Sequence, residues 1–457
     1  MALTNIWECK TTVFPAVHVH LPYLCDVITL DTRFRDAARS LRIELGGAVE
    51  PFAHLPYSKE TSVKRAGLKA FLEAVRLDGA RVEPIIQAPT PRSYRTTSRR
   101  RIYINRGKLQ LNHGDGNNPG QASLLEPPHH AAIYTLLELL LREIHPQVQE
   151  IVNHVIVRGT YNEFVLIVNV KGMDAYIVRT IRRVCEQVQS SIPEVQHAWM
   201  YHDPKGSRFY LELERPATGV NAKKLFGHAA WRQVVNDITY QVGVFSFSQI
   251  NLEMMPALIA TVAEHAGVTQ SDILFDLYSG YGLFGAALAK SAKQVVAVDA
   301  DETTVDNARY NIKRAGGHVT AIRQVFRDAD DVTSLWKTCG KILRPQALES
   351  PAVVVLDPPR SGTPSGMIRE ISRTIQPRTV VEVFCGPDEL ARSIREWKAA
   401  GYQLERITPL DLFPGTFGME IVASWSLADE PTEPSPVPTK RPRGNARPNG
   451  RSSYRRS

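Results

Sequence analysis

Cys385, Asp357 and Glu420 are the three side chains whose settings could carry chemistry, because each stands beside a motif that ends or begins a predicted strand. The motifs are Leu356-Asp357-Pro358-Pro359-Arg360, then Val383-Phe384-Cys385-Gly386-Pro387, then a Phe413-Pro414-Gly415-Thr416 turn leading to Glu420. As a thiolate, Cys385 could add to C6 of a uracil ring. That addition makes C5 a carbon nucleophile able to take a methyl group from a sulfonium donor. C5 still holds its proton after the transfer, and a base must remove it before the thiol is eliminated; Glu420 is the candidate. Asp357, held in a stiff turn by two prolines, could accept a hydrogen bond from an N–H of the base and fix its orientation. Each residue also has a plain structural reading, as a core thiol, an ordinary turn and a solvated strand end. A helix predicted over Asp388–Trp397 would start close to the thiol, and such a helix dipole can lower a thiol pKa.

A doubly wound α/β sheet is the element that would position them. From Asp272 onward, short apolar runs alternate with helical stretches, as in a parallel sheet with crossover helices. The predicted strands are Ile273–Leu277, Gln294–Val298, Ala352–Leu356, Thr379–Phe384 and Leu404–Ile407, with Ile421–Trp425 closing the sheet and a helix over Thr303–Ala315. The segment Asp276–Gly282 follows the first strand, and Gly280 and Gly282 let the backbone turn tightly and approach a ligand. Gly280-Tyr281-Gly282-Leu283-Phe284-Gly285 formally fits the G-x-G-x-x-G of dinucleotide sites. Asp276 ahead of the loop instead suits the amino-acid portion of S-adenosyl-L-methionine, and Asp299, ending the second strand, suits ribose hydroxyls in either class.

With 457 residues the chain should hold two or three domains. Residues 1–81 form an N-terminal region of unclear role, 82–240 an α+β central domain that meets RNA, 241–427 the methyl-transfer domain, and 428–457 a disordered basic tail. In the central domain Phe164–Val170 and Arg208–Leu213 read as strands and Tyr176–Ser190 as a helix, with a turn at Asp203-Pro204-Lys205-Gly206. Near its start, Pro91-Arg92-Ser93-Tyr94-Arg95 and Arg99-Arg100-Arg101-Ile102-Tyr103-Ile104 mix cations with aromatics, which favours an RNA-facing surface over a charge-protected strand edge. The net charge of +8 agrees with an anionic partner. Five scattered cysteines with no C-x-x-C pair argue against disulfides or a zinc site and for a cytoplasmic protein. No apolar run has membrane-spanning length. His18, His20 and Cys25 lack metal-ligand spacing, and His129 and His130 would point to opposite sides if extended, so neither group is assigned a metal.

The motifs together resemble the RNA 5-methyluridine (uracil-C5) methyltransferase family. The resemblance is carried by Phe247-Ser248-Gln249-Ile250-Asn251, by Asp276 to Phe284 with Ser279 where the family has Cys, by Asp357 to Gly362, by Phe384 to Pro387, and by Phe413 to Glu420. It covers roughly residues 82–427 and is strongest from Phe245 onward. It implies a class I, Rossmann-like methyltransferase dependent on S-adenosyl-L-methionine, with Gln249, Tyr278, Asp299 and Asp357 lining the donor site, Cys385 as nucleophile and Glu420 as proton acceptor. Phe384 and Gly386 stand where the family has Ser and Asn. There is no four-cysteine cluster, so the iron–sulfur centre of some relatives is not expected.

The expected function is methylation of C5 of a uridine in tRNA or ribosomal RNA through a covalent cysteine adduct, the target base being turned out of its stack. Two rivals remain: a non-catalytic RNA-binding protein with a methyltransferase fold, motivated by the residues around Cys385, and an exocyclic-amine nucleic-acid methyltransferase that uses the Asp-Pro-Pro turn without a thiol. An RNA 5-methylcytosine enzyme would place a cysteine after the Asp-Pro pair, where this chain has Pro359.

Overall fold

The computed structural model describes residues 29–75, 77, 79–112, 123–204, 222–345 and 349–428. Its larger sheet is built from β10 (Ile273–Leu277), β11 (Gln294–Asp299), β12 (Val319–Arg323), β13 (Ala352–Leu356) and β14 (Thr379–Phe384), all parallel. β16 (Glu420–Leu427) runs antiparallel beside β14, followed by β15 (Tyr402–Leu410) and, at the edge, the short β1 (Arg81–Val82). The spatial order β1-β15-β16-β14-β13-β10-β11-β12 reverses direction between β10 and β13, the crevice where such sheets bind ligands. Every residue of β10 and β13 is buried, as expected of apolar runs covered on both faces. Alternation sends Ile273, Phe275 and Leu277 into one core and Leu274 into the other.

The first of these cores is closed by α1 (Leu30–Ser40) and α2 (Tyr57–Val75), whose Phe34, Val63, Leu68 and Phe71 pack in one cluster with Phe275, Trp397 and Trp425. The N-terminal segment is therefore a cover for the sheet that carries Cys385. The expected boundary at residue 82 moves accordingly, because Val82 pairs with Ile407 and Ile86 bridges to Leu410 in that sheet. The second core is covered by α6 (Met255–Ala266), α7 (Leu283–Ala287), α8 (Glu302–Arg314) and a hairpin of β8 (Ala230–Val235) and β9 (Ile238–Gly243). That hairpin turns through left-handed Asn236 and Asp237 and is stitched to α8 by Gln241 and Asn311, so the expected boundary at 240 cuts through it.

Between them lies a second sheet in the order β3-β2-β4-β5-β6-β7. Its strands are β2 (Ser98–Asn105), β3 (Lys108–Asn112), β4 (Val152–Gly159), β5 (Phe164–Val170), β6 (Val195–His202) and β7 (Ala222–Phe226). One face packs on α3 (Pro128–Glu143), the short α4 (Pro146–Ile151) and α5 (Ala175–Ser191); on the other, Ile156, Val165 and Ile167 join the second core. β5 matches its expected bounds. The predicted strand Arg208–Leu213, residues 1–28 with His18, His20 and Cys25, and the tail from 429 lie outside the described residues. Among the described residues no helix is long and apolar enough to cross a membrane.

Candidate active site

The carboxyl ends of the parallel strands all reach one edge of the sheet, and the expected residues sit there. At the end of β10 the chain turns through Tyr278, Gly280 and Gly282, all with positive φ (60°, 55° and 82°). A Cβ at Gly282 would lie 3.0 Å from the Ala308 backbone, so α8 comes close only because that position is bare. Asp276 is fully buried and accepts the Gly285 N–H at 2.8 Å, which pins the start of α7. Asp299, ending β11, accepts the Gly280 N–H at 2.9 Å. Tyr278 packs its ring on Phe326 and donates to Met367 Sδ; burial pushes its pKa up, so it stays protonated.

Asp357 follows β13 directly, and its backbone N–H donates to the Leu277 carbonyl, locking the two loops at the topological switch. Cys385 follows β14, buried, with Sγ 3.8 Å from the Pro358 carbonyl. Glu420 arrives differently, as the first residue of an antiparallel strand, so its amino end meets the same edge. Phe384 is paired with Ile421, and one more step along that register sets Cys385 against Glu420. Glu420 is 1% exposed. Asp357, Cys385 and Glu420 thus occupy consecutive positions along the edge formed by β13, β14 and β16.

Gln249 lies in the loop between β9 and α6, which is tied at one end to Thr304 of α8 through Ser246 and at the other to the Leu412 carbonyl through Asn251. The loop therefore crosses the same edge. Gln249 Oε1 is buried without a hydrogen-bond partner among the described residues, as is Ser279 Oγ. Buried polar atoms rarely remain so, and their setting fits a polar ligand lying along the β10 loop.

The two departures from the family pattern acquire physical reasons. Phe384 points into the first core against Trp425, away from the side of Cys385, so its bulk does not enter the site. Gly386 brings its backbone so close to the Asp357–Arg360 turn that a Cβ would fall 2.8 Å from the Arg360 carbonyl oxygen. The expected helix after Cys385 begins later than predicted: Pro387–Glu389 is a single 3-10 turn, and the α-helix, here α11, runs Leu390–Ala399 after α9 (Asp330–Ile342) and α10 (Met367–Thr374).

The basic run near residue 92 is the main correction. Arg92 donates to the carbonyls of Phe52, Ala53 and Leu55 and to Glu60. Tyr94 is fully buried with its hydroxyl on the Pro414 carbonyl. Arg100 is buried against Glu126 in a bidentate pair at 3.0 and 2.6 Å and lies over the Tyr134 ring. Arg92 and Tyr94 thus tie this segment to residues 52–60 and to the turn before Glu420, and Arg100 ties β2 to the entry of α3; Arg101 alone of the three consecutive arginines is exposed. His130 also differs, sitting in helix α3 with Nδ1 2.7 Å from Ser98 Oγ, and burial lowers its pKa to about 4. No group of three or more metal-ligating side chains occurs among the described residues.

Sequence reasoning missed a buried charge cluster of Glu60, Lys64 and Asp411 with Tyr57. A signal was present: Glu60 and Lys64 fall four apart on the same helix face as Leu68 and Phe71, where charge is out of place.

The fold is the doubly wound, Rossmann-like α/β fold of S-adenosyl-L-methionine-dependent methyltransferases. A family model described as tRNA (Uracil-5-)-methyltransferase matches residues 231–424, which bears out the resemblance in the motifs. Two relatives, both described as uncharacterized RNA methyltransferases, come from Lactiplantibacillus plantarum (25% identical, 82% of this chain and 80% of the relative) and Lactobacillus johnsonii (26%, 81% and 80%). Among solved structures, the chain resembles Pyrococcus abyssi tRNA (uracil-54, C5)-methyltransferase in complex with S-adenosyl-L-homocysteine. The TM-score is 0.56 at 18% identity, covering 82% of this chain and 85% of that one, a likeness of fold.

Proposed function

We propose that the protein transfers a methyl group from S-adenosyl-L-methionine to C5 of a uridine in tRNA or ribosomal RNA through a covalent adduct on Cys385. The observation that supports this reading is that β14, which Cys385 follows, and β16, which Glu420 begins, are neighbouring antiparallel strands whose ends meet next to the Asp357 turn. An amine methyltransferase has no use for a thiol and a carboxylate so paired.

Asp299 would hold the ribose hydroxyls of the donor, while Tyr278 and Gln249 would border it along the β10 loop; the partnerless Gln249 Oε1 supports that fit. When bound, the donor supplies an electrophilic methyl group from its sulfonium. Asp357 orients the uracil through a base N–H. Cys385 adds to C6, and the electron pair of the C5–C6 bond becomes available at C5 for the methyl group. Glu420 then takes the C5 proton, the C5–C6 double bond re-forms, and the thiolate leaves. Burial of Glu420 and Cys385 keeps water away from both steps. The Pyrococcus abyssi protein that shares the fold is a tRNA (uracil-54, C5)-methyltransferase, which supports tRNA as the first substrate to try.

The test is incubation with the methyl donor and RNA carrying 5-fluorouridine. Fluorine cannot leave as the C5 proton does, so wild type should form a denaturation-resistant adduct and Cys385→Ala should form none. Absence of adduct on both tRNA and ribosomal RNA, with another uracil-C5 enzyme trapping normally, would favour the amine methyltransferase or the non-catalytic binder.

A further inference from the structure

The turn that precedes Glu420 is held by charge buried in another part of the chain. Lys64 of α2 is wholly buried, with Nζ 2.6 Å from Asp411 Oδ1, 2.9 Å from Glu60 Oε1 and 3.4 Å from the Phe413 carbonyl. Tyr57 donates to Asp411 Oδ2 at 3.0 Å, and Arg92 donates to Glu60 Oε2 at 3.0 Å. Two cations therefore face two carboxylates. The carboxylates hold Lys64 in its charged form against the opposing effect of burial.

Glu60 reaches the turn itself, accepting the Gly415 N–H at 2.6 Å. The Phe52 N–H donates to the Gly415 carbonyl, Tyr94 to the Pro414 carbonyl and Asn251 to the Leu412 carbonyl. Phe417 completes the anchorage, packed between Phe34 and Phe52. Buried ion clusters are weak sources of net stability, since apolar replacements often do as well; a fixed geometry is what they supply. The Cys385 loop makes no hydrogen bond to the side chains of Lys64, Glu60, Asp411 or Tyr57; it is held by Cys385 Sγ on the Pro358 carbonyl, by the close approach of Gly386 to Arg360, and by the Leu30 N–H, which donates to Asp388 Oδ1 at 2.8 Å.

We infer that Lys64, Glu60, Asp411 and Tyr57 form a positioning cluster that sets Glu420 for proton removal and leaves thiol addition untouched. The inference rests on the proposed uracil-C5 chemistry. In the step concerned, the C5–H electrons form the C5–C6 double bond, the proton passes to Glu420, and the C6–S bond breaks with its pair on Cys385. A base must lie within hydrogen-bond reach of its proton, and a misplacement of about 1 Å can cost about 100-fold in rate.

The experiment compares wild type, Lys64→Met and Tyr57→Phe on two RNAs, one with uridine and one with 5-fluorouridine at the target. Both variants should trap the 5-fluorouridine RNA within a few-fold of the wild-type rate. On uridine RNA, Lys64→Met should accumulate methylated, covalently bound RNA and release it about 100-fold more slowly; Tyr57→Phe should do so more mildly. Should Lys64→Met fail to fold, Tyr57→Phe, which keeps the ring and removes one hydroxyl, decides the matter. Trapping and release that fall together, or release left at the wild-type rate, would overturn the inference. Failure of wild type itself to trap would overturn the underlying function instead.

Discussion

Replacing Glu382 by glutamine removes a proton equilibrium from the strand that ends at Cys385. Glu382 is wholly buried in β14, where Ser393 Oγ donates to one carboxyl oxygen at 3.1 Å and Trp397 Nε1 to the other at 3.3 Å. Burial raises its pKa from 4.5 to about 7, outweighing these two donors and Arg392. Because the folded state keeps a proton that the unfolded state has lost, stability falls as pH rises from 4.5 through about 7. The shift corresponds to about 3 kcal/mol, of which about 2.5 kcal/mol is lost between pH 5 and pH 8. With an unfolding entropy of about 1 kcal/mol/K for a chain of this size, that is a Tm decrease of about 3 °C. The introduced amide can accept from Trp397 and donate to the Ser393 hydroxyl, leaving one N–H unmet at about 1 kcal/mol. Thermal melts of both proteins at pH 5 and pH 8 give the difference directly, with other titrating groups cancelling. Glu382→Gln should be the more stable protein at pH 8 by about 2 kcal/mol. Identical pH slopes in the two proteins would refute the reasoning.

Gly386→Ala drives a Cβ to 2.8 Å from the Arg360 carbonyl oxygen, a backbone atom that cannot swing aside. Displacement of the Cys385 loop should lower the rate of 5-fluorouridine trapping, with a stability loss of about 1–3 kcal/mol. Arg100→Met leaves Glu126 buried without its bidentate partner; denaturant melts should register a loss of about 3–5 kcal/mol, most of it recovered in Arg100→Met/Glu126→Leu. The salt dependence of RNA binding should be unchanged in that double variant, since Arg100 neutralises a carboxylate and no phosphate.

What could be read from sequence was what short-range physics marks. β13 is a continuous apolar run, β10 and β14 are apolar but for Asp276, Thr379 and Glu382, each is followed within three residues by Gly or Pro, and their predicted bounds coincide with the observed ones. The same breakers exposed Asp357 and Cys385 as strand-end residues. β12 escaped because its side chains are half exposed at the sheet edge and give neither a buried run nor a clean alternation. β1 is two residues long. The basic run misled for a related reason: cations next to aromatics describe an RNA surface and a set of buried structural ties equally well, and the deciding partners, Glu60 and Glu126, lie 32 and 26 residues away. Lys64 and Asp411 are separated by 347 positions. No local pattern reports such a pair.

The placement of Glu420 follows from strand direction. Parallel strands deliver only their carboxyl ends to the ligand edge, so a residue entering from β13 or β14 stands just past the tip of its strand, outside the ladder. An antiparallel β16 delivers its first residue, fixed by the ladder to the Leu410 side on one flank and the Phe384 side on the other. Because successive side chains alternate faces, a slip of one residue would carry Glu420 to the opposite face, while Ile421 and Ala423 in the first core and Val422 in the second hold the register against it. The apolar alternation of β16 thus sets the face on which the acid appears, and the clamped turn ahead of it sets how far it reaches.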